Sequence, residues 1–231
     1  MKDSIRKAAE VHAAKEYPRE CCGLIVETLA GERYWPCRNI AASSEHFVMS
    51  PEDYAAAQDF GAIKAIVHSH PDYSAEASQA DRVACEQSGL PWYIVGWPSG
   101  LWTSIAPSGY RAPLIGREFS HGILDCYTLI RDWYREERSI ELIDIPRRDE
   151  WWKKGENLYV ENFARAGFSV TDDLHEGAVI LMQVLSDVPN HAAIYVEDNI
   201  ILHHLHGRLS CRDVYGGYWR KHTSHILKYT G

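Results

Sequence analysis

Ala62-Ile63-Lys64-Ala65-Ile66-Val67-His68-Ser69-His70, then seven residues (71–77), then Ser78-Gln79-Ala80-Asp81, is the stretch on which the fold of this chain turns. The apolar, β-branched run before His68 predicts a strand, and side chains two apart on a strand share a face. His68 and His70 therefore project together, about 6.5–7 Å apart at the backbone, from where both imidazoles reach one ion. Asp81 stands eleven residues beyond His70, where Ser78-x-x-Asp81 opens a helix. Two neutral imidazoles and one carboxylate, with a fourth position open, form the ligand set of a catalytic rather than a structural zinc. Water activated at such a metal needs a base. Glu20, in Tyr17-Pro18-Arg19-Glu20-Cys21-Cys22-Gly23-Leu24, precedes a strand able to lie beside the histidine strand. Each fragment alone has a plainer use, because Ser-x-x-Asp is a helix capping box and His-x-His on a strand can be a solvated pair.

Working outward, Ile5, Ala8, Ala9 and Val11 recur at near-helical spacing within residues 3–16, and Pro18 follows. Residues 22–28 read as a buried strand, 51–60 as a helix with Pro51 in its first turn, 62–69 as the histidine strand, 78–87 as a helix and 92–95 as a short strand. This alternation predicts an α/β unit. Between Pro98 and Gly122 the composition turns to Pro, Gly and Ser, which sets a boundary near 108–116 and two domains, 1–110 and 111–231. Helices are expected over 125–138 and 157–166, the second ended by Gly167, and strands over 178–184, 191–196 and 200–204. Helices first and strands after make the second domain α+β.

The second domain carries a candidate nucleophile. Asp125 is a good N-cap, so Cys126 falls in the first turn of a helix, where the dipole is expected to lower a thiol pKa. A nucleophilic thiol also needs a base held by a third polar group. His191 opens a strand on which residues 191, 193 and 195 share a face. If Glu197-Asp198-Asn199 forms a three-residue hairpin loop, Val196 pairs with Ile200 and Ala193 with His203, and His203 stands diagonal to His191 at about 7–8 Å between backbones. A two-residue loop brings His204 to that face instead. Either histidine fits the third position at this level.

Composition bounds the function classes. The 24 Lys+Arg against 32 Asp+Glu give a formal charge of −8, opposite to the basic footprint of a nucleic-acid binder. The longest uncharged stretch, 87–110, is broken by Pro91, Gly96, Pro98, Gly100 and Pro107, so no membrane-spanning segment is expected. Six cysteines (21, 22, 37, 85, 126, 211) show no paired spacing, and residues 1–15 lack an apolar core of a secretory signal, so synthesis and folding in a cytoplasm are expected. Trp92, Trp97, Trp102, Trp151 and Trp152 fit either core packing or a docking surface.

Taken together, His68-Ser69-His70-Pro71, the Ser78-x-x-Asp81 that follows and the upstream Pro-x-Glu-x-Cys-Gly-Leu resemble the JAMM (MPN/Mov34) metallopeptidases over about residues 1–107. That resemblance implies a cytidine-deaminase-like α/β sandwich and Zn²⁺ held by His68, His70 and Asp81. It also implies Glu20 as general acid/base, Ser78 as donor to the tetrahedral oxyanion, and cleavage of a peptide or isopeptide bond.

Gly122-x-x-Asp125-Cys126, the buried strand after Gly177, and His191-Ala192-Ala193-Ile194-Tyr195 with His203 twelve residues on resemble the NlpC/P60 peptidases over about 117–231. This implies a papain-like α+β core with Cys126 as nucleophile, His191 as base and His203 as orienter, acting on peptidoglycan stem peptides. There are two departures, Tyr127-Thr128 where many relatives have Ser-Gly and Ala178 where many have Asp, and the first bears on the substrate groove and so on specificity.

The pairing of the two domains, with Tyr34-x-Pro36-Cys37-x-Asn39-Ile40, Trp151-Trp152 and Gly155-x-Asn157-Leu158-Tyr159, is similar to tail-assembly proteins of lambda-like phages. It implies a bifunctional tail-tip peptidase acting in tail assembly or cell-wall penetration, with other tail-tip proteins as partners. The expected location is the host cytoplasm during assembly, with the virion tail tip as a second location. The alternative is a structural assembly factor whose catalytic centres are dispensable.

Overall fold

The computed structural model describes residues 1–44 and 46–231, and the chain divides between Arg111 and Ala112 into two compact units. The first is built on a five-stranded sheet in the order β2-β1-β3-β4-β5, with β1 Cys22–Thr28, β2 Gly31–Cys37, β3 Ala62–Pro71, β4 Trp92–Trp97 and β5 Leu101–Ile105. Only β3 and β4 run parallel. Alternation along β1 and β3 splits the core in two. Leu24, Val26 and Ile66 pack with Ala57 of α2 (Pro51–Phe60) and Cys85 of α3 (Gln79–Ser88). Ile25, Ala65 and Val67 face Ile5 and Ala9 of α1 (Asp3–Glu16) on the other side.

Register then positions the candidate ligands. Cys22 pairs with His68, and the pairing runs on past the strand end, since Ser69 N–H donates to Cys21 O (3.1 Å) and Cys21 N–H to Ser69 Oγ (2.9 Å). Glu20, two residues before Cys22 on an antiparallel neighbour, arrives level with His70. Gly23 leaves room for Tyr34, whose hydroxyl would lie 2.5 Å from any Cβ at that position. β2 and β5 were not expected from the sequence. Trp92 is buried, and the half-buried Trp102 donates to Glu10 (2.9 Å) beneath the Arg6 guanidinium, so these two tryptophans serve packing.

The second unit holds a six-stranded antiparallel sheet in the order β10-β9-β8-β7-β11-β6. Its strands are β6 Phe168–Val170, β7 Val179–Met182, β8 His191–Glu197, β9 Ile200–His203, β10 Cys211–Val214 and β11 Thr223–Tyr229. On one face Val179, Leu181, Ala192, Ile194 and Leu202 pack against Leu129, Ile130 and Trp133 of α4 (Cys126–Arg138) and Tyr159 of α5 (Leu158–Asn162). On the other, Ile180, Met182, Ala193 and Ile201 meet Tyr215 and Trp219, the latter on α6 (Gly217–His222).

One expectation is corrected here, and the open choice between hairpin loops is resolved. The helix expected over 157–166 ends at Asn162, and Phe168 N–H returns to Phe163 O (3.0 Å) to close a turn instead. Gly167 (φ +85°) completes that turn, and a Cβ there would meet the Tyr229 ring at 2.7 Å. The β8–β9 loop is a two-residue turn, with Asp198 (φ 47°) and Asn199 (φ 62°) both left-handed and Glu197, not Val196, opposite Ile200. A bulge between Tyr195 and Glu197 absorbs the extra residue, so Ala193 still pairs with His203. Among the described residues no helix is long and apolar enough to cross a membrane.

Candidate metal centre and candidate thiol centre

At the end of β3, His68, His70 and Asp81 converge, each offering one ligand atom within 4.8 Å of the others. His68 Nε2 lies 3.1 Å from His70 Nε2 and 3.1 Å from Asp81 Oδ1, and His70 Nε2 lies 3.3 Å from Asp81 Oδ2. His68 is wholly buried, with Phe47 and Trp92 rings 5.0 and 5.3 Å from its own and no partner at Nδ1. His70 Nδ1 meets the Ser74 carbonyl at 2.9 Å, so Nδ1–H donates and the Nε2 lone pair of the neutral ring turns inward. Asp81 is fixed by its capping box: Ser78 N–H and Oγ–H both donate to Oδ2 (2.8 Å each), and Asp81 N–H donates to Ser78 Oγ (3.0 Å). Capping and metal binding are thus compatible uses of one Ser-x-x-Asp, because Oδ1 remains turned toward His68.

Burial pushes the His68 imidazole pKa down, against the pull of Asp81. Burial works against a charged His70 as well, but Asp81 and the Ser74 carbonyl outweigh it and raise the pKa. Asp81 is held far below the usual carboxylate range; burial opposes this, and its bonds to His68 and His70 prevail. Glu20 lies close enough to feel both His70 and Asp81. Burial drives its carboxyl up to about 8, with His70 lowering and Asp81 raising it. Two imidazole nitrogens and a carboxylate oxygen converging at the end of β3 fit a zinc ion by donor type.

In the second unit, Cys126 is the first residue of α4 and is buried. Asp125 caps the helix: Oδ1 accepts from Thr128 N–H (2.9 Å) and Thr128 Oγ (2.9 Å), and Oδ2 from Gly122 N–H (2.9 Å). Arg147, also buried, clamps the same carboxylate from Nε (2.7 Å) and Nη2 (3.2 Å). The thiol hydrogen-bonds the Tyr159 hydroxyl at 3.2 Å, and the Ala192 backbone N–H also favours its anion. Among the described residues no hydrogen bond joins Cys126 to His191. The expectation of a depressed thiol pKa is corrected: burial, with the Asp125 charge adding to it, pushes Cys126 up to about 11.

His191 and His203 are brought together, with Nε2 of the first 3.1 Å from Nδ1 of the second. His203 Nε2 faces Cys211 Sγ (3.8 Å) and Asp213 Oδ2 (3.9 Å), and the Trp219 ring stands edge-on at 4.6 Å while its Nε1–H donates to Asp213 (3.0 Å). Burial, helped by His203 and His204, drives His191 down to about 3. Burial also lowers His203. His204 is buried edge-on to Phe119, beside the Arg117 and Arg208 backbone. The bulge thus decides between the two histidines: His203 contacts His191.

Tail tip assembly protein K of Escherichia phage N15 is 45% identical over 233 residues, covering 99% of this chain and 96% of that protein. The chain belongs to the tail tip assembly protein K family. The phage lambda member is 40% identical over 183 residues, covering 78% of this chain and 89% of that protein. Within this chain, residues 2–106 match the prokaryotic homologs of the JAB domain and 116–228 the NlpC/P60 family. A JAB1/MPN domain protein from Archaeoglobus fulgidus is also similar, at 20% identity and TM-score 0.31, over 48% of this chain and 91% of that one.

The candidate residues Glu20, His68, His70, Ser78 and Asp81 fall within the first match, and Cys126, His191 and His203 within the second. Sequence reasoning missed Arg147, Tyr159, Asp213 and Trp219, all tied to the thiol centre. Trp151-Trp152 and Asn157-Leu158-Tyr159 stood out only as shared strings, with nothing in their spacing to connect them to Cys126, 33 residues before Tyr159.

Proposed function

We propose that this chain is a bifunctional peptidase of the phage tail tip. The NlpC/P60 unit cleaves peptidoglycan stem peptides, and the JAB unit cleaves a peptide or isopeptide bond during tail assembly or cell-wall penetration. The observation that carries this reading is the 3.1 Å contact between His191 Nε2 and His203 Nδ1. One proton lies between those nitrogens, and with His203 Nε2–H turned to Asp213, His203 Nδ1 accepts and His191 Nε2 donates. His191 Nδ1 is then left as the basic nitrogen.

Because the thiol is held protonated and the imidazole neutral, proton transfer accompanies attack. The Cys126 S–H proton passes to His191 Nδ1 as sulfur bonds to the scissile carbonyl carbon. The resulting imidazolium returns that proton to the leaving amine, and water then releases the acyl group from sulfur.

In the first unit, His68, His70 and Asp81 are the residues that would hold Zn²⁺. Bound there, the ion supplies Lewis-acid activation of water and of the substrate carbonyl. Glu20 holds and moves the proton beside His70, and Ser78 keeps Asp81 fixed through its backbone N–H while its hydroxyl proton turns from Asp81 Oδ2 to the developing oxyanion. Partners on this reading are murein peptides and other tail-tip proteins, met in the host cytoplasm during assembly or at the tail tip of the virion.

A second reading, a tail-tip assembly factor with dispensable centres, draws support from one observation: Cys126 is bonded to Tyr159 rather than to an imidazole. Incubating purified sacculi with the wild-type chain and with Cys126→Ala separates the two, since only the peptidase reading makes soluble peptide release depend on that sulfur.

A further inference from the structure

Tyr159 packs in the core of the second unit, but packing does not explain its hydroxyl. It lies on α5, a helix of five residues with no side-chain cap, and is almost fully buried among apolar neighbours such as Ile145, Phe163 and Phe168. A phenylalanine would fill that space, whereas a buried phenol must find a partner for its hydroxyl. The partner it has is Cys126 Sγ at 3.2 Å. Its ring is held from two sides, by Trp151 edge-on at 5.2 Å and by Tyr127 at 6.2 Å, so the hydroxyl is aimed rather than free to wander.

A neutral thiol is a weak acceptor, and a thiolate accepts a charge-assisted bond roughly twice as strong as a neutral one. A donor fixed on Sγ therefore contributes little while the sulfur keeps its proton and more as the proton leaves. That difference is the form a catalytic contribution takes. We propose that Tyr159 is a further catalytic residue of the thiol centre, its hydroxyl donating to Cys126 Sγ and stabilising the sulfur anion as it forms. Tyr159 keeps its own proton, because burial, with the neighbouring Cys126 adding to it, holds the phenol well above its ordinary pKa of 10.0. The Ala192 N–H acts beside it on the same sulfur.

The proposal rests on Cys126 being the nucleophile, but its test reads thiol chemistry alone. Wild type, Tyr159→Phe and a chain with 3-fluorotyrosine at 159 are treated with iodoacetamide at pH 8, and carboxamidomethylation is followed peptide by peptide. Cys211, a half-buried thiol of the same unit, is the internal reference. Tyr159→Phe is expected to slow Cys126 about three- to tenfold relative to Cys211, up to one pKa unit of lost thiolate. The stronger fluorinated donor is expected to speed it.

A variant that merely loosened the unit would speed both thiols. Unchanged or faster relative labelling of Cys126 in Tyr159→Phe, or slower labelling with fluorotyrosine, overturns the proposal. Failure of the wild-type chain to digest sacculi would count against the peptidase reading and leave this result standing.

Discussion

His191 and His203 stand on neighbouring strands with Nε2 and Nδ1 3.1 Å apart, an arrangement that exists only because a bulge near Val196 cancels the shortness of the Asp198-Asn199 turn. One residue of slip would put His204 in that place. His203→Ala should therefore lower the turnover of murein peptide release by about 10²–10⁴-fold with little change in KM, since the orienter acts through the base and not on the substrate. His204→Ala should leave turnover within a few-fold. Steady-state kinetics on soluble stem peptides checks both.

Stability of the second unit should fall with acid in a defined window. The folded state holds His191 near 3 and His204 near 4, against 6.5 for the ordinary imidazole. Between about pH 6.5 and 3 the unfolded chain thus binds more protons than the folded one, and stability drops as pH falls. The sign is that of a depressed base: stability is complete above 6.5 and eroded below it. Thermal melts from pH 7 to 4 should show a decline that flattens in the double variant His191→Gln, His204→Gln.

Which parts of this fold were legible, and which were not, follows from burial. β1, β3 and α1 to α3 carry their apolar periodicity openly, as does α4, and the histidine and cysteine motifs lie at their ends. The strands that escaped include all four sheet edges: β2, β5, β6 and β10. β2 carries Glu32, Arg33 and Pro36 and is mostly half-exposed, and β10 is Cys-Arg-Asp-Val with alternate residues exposed, as edges that avoid further pairing tend to be. Arg147 and Tyr159 were unreadable for another reason. Their roles depend on chain segments with no periodicity folding back onto Asp125 and Cys126.

The Asp125–Arg147 pair makes a strong demand on stability. Both side chains are almost completely buried and bonded to each other at 2.7 Å. Asp125→Ala strands a buried guanidinium and uncaps α4, and should cost about 3–5 kcal/mol plus about 1 kcal/mol for the cap. Asp125→Asn with Arg147→Met should cost less than the sum of its parts. Chemical denaturation of the four corners of that cycle measures the coupling.

Zinc content distinguishes capping from ligation at α3. His68→Ala and Asp81→Ala should each lose bound zinc in elemental analysis after dialysis. Ser78→Ala should keep the metal while losing roughly 1 kcal/mol of helix capping. Equal zinc in all three would show that the cluster is not a metal site.

The most direct measurement is the release of soluble peptides from purified sacculi by the wild-type chain, the chain stripped with a chelator, and Cys126→Ala. The account predicts release by the first two and none by the third, with zinc content unchanged in Cys126→Ala. Release that persists without the sulfur, or that vanishes with the metal, would contradict it.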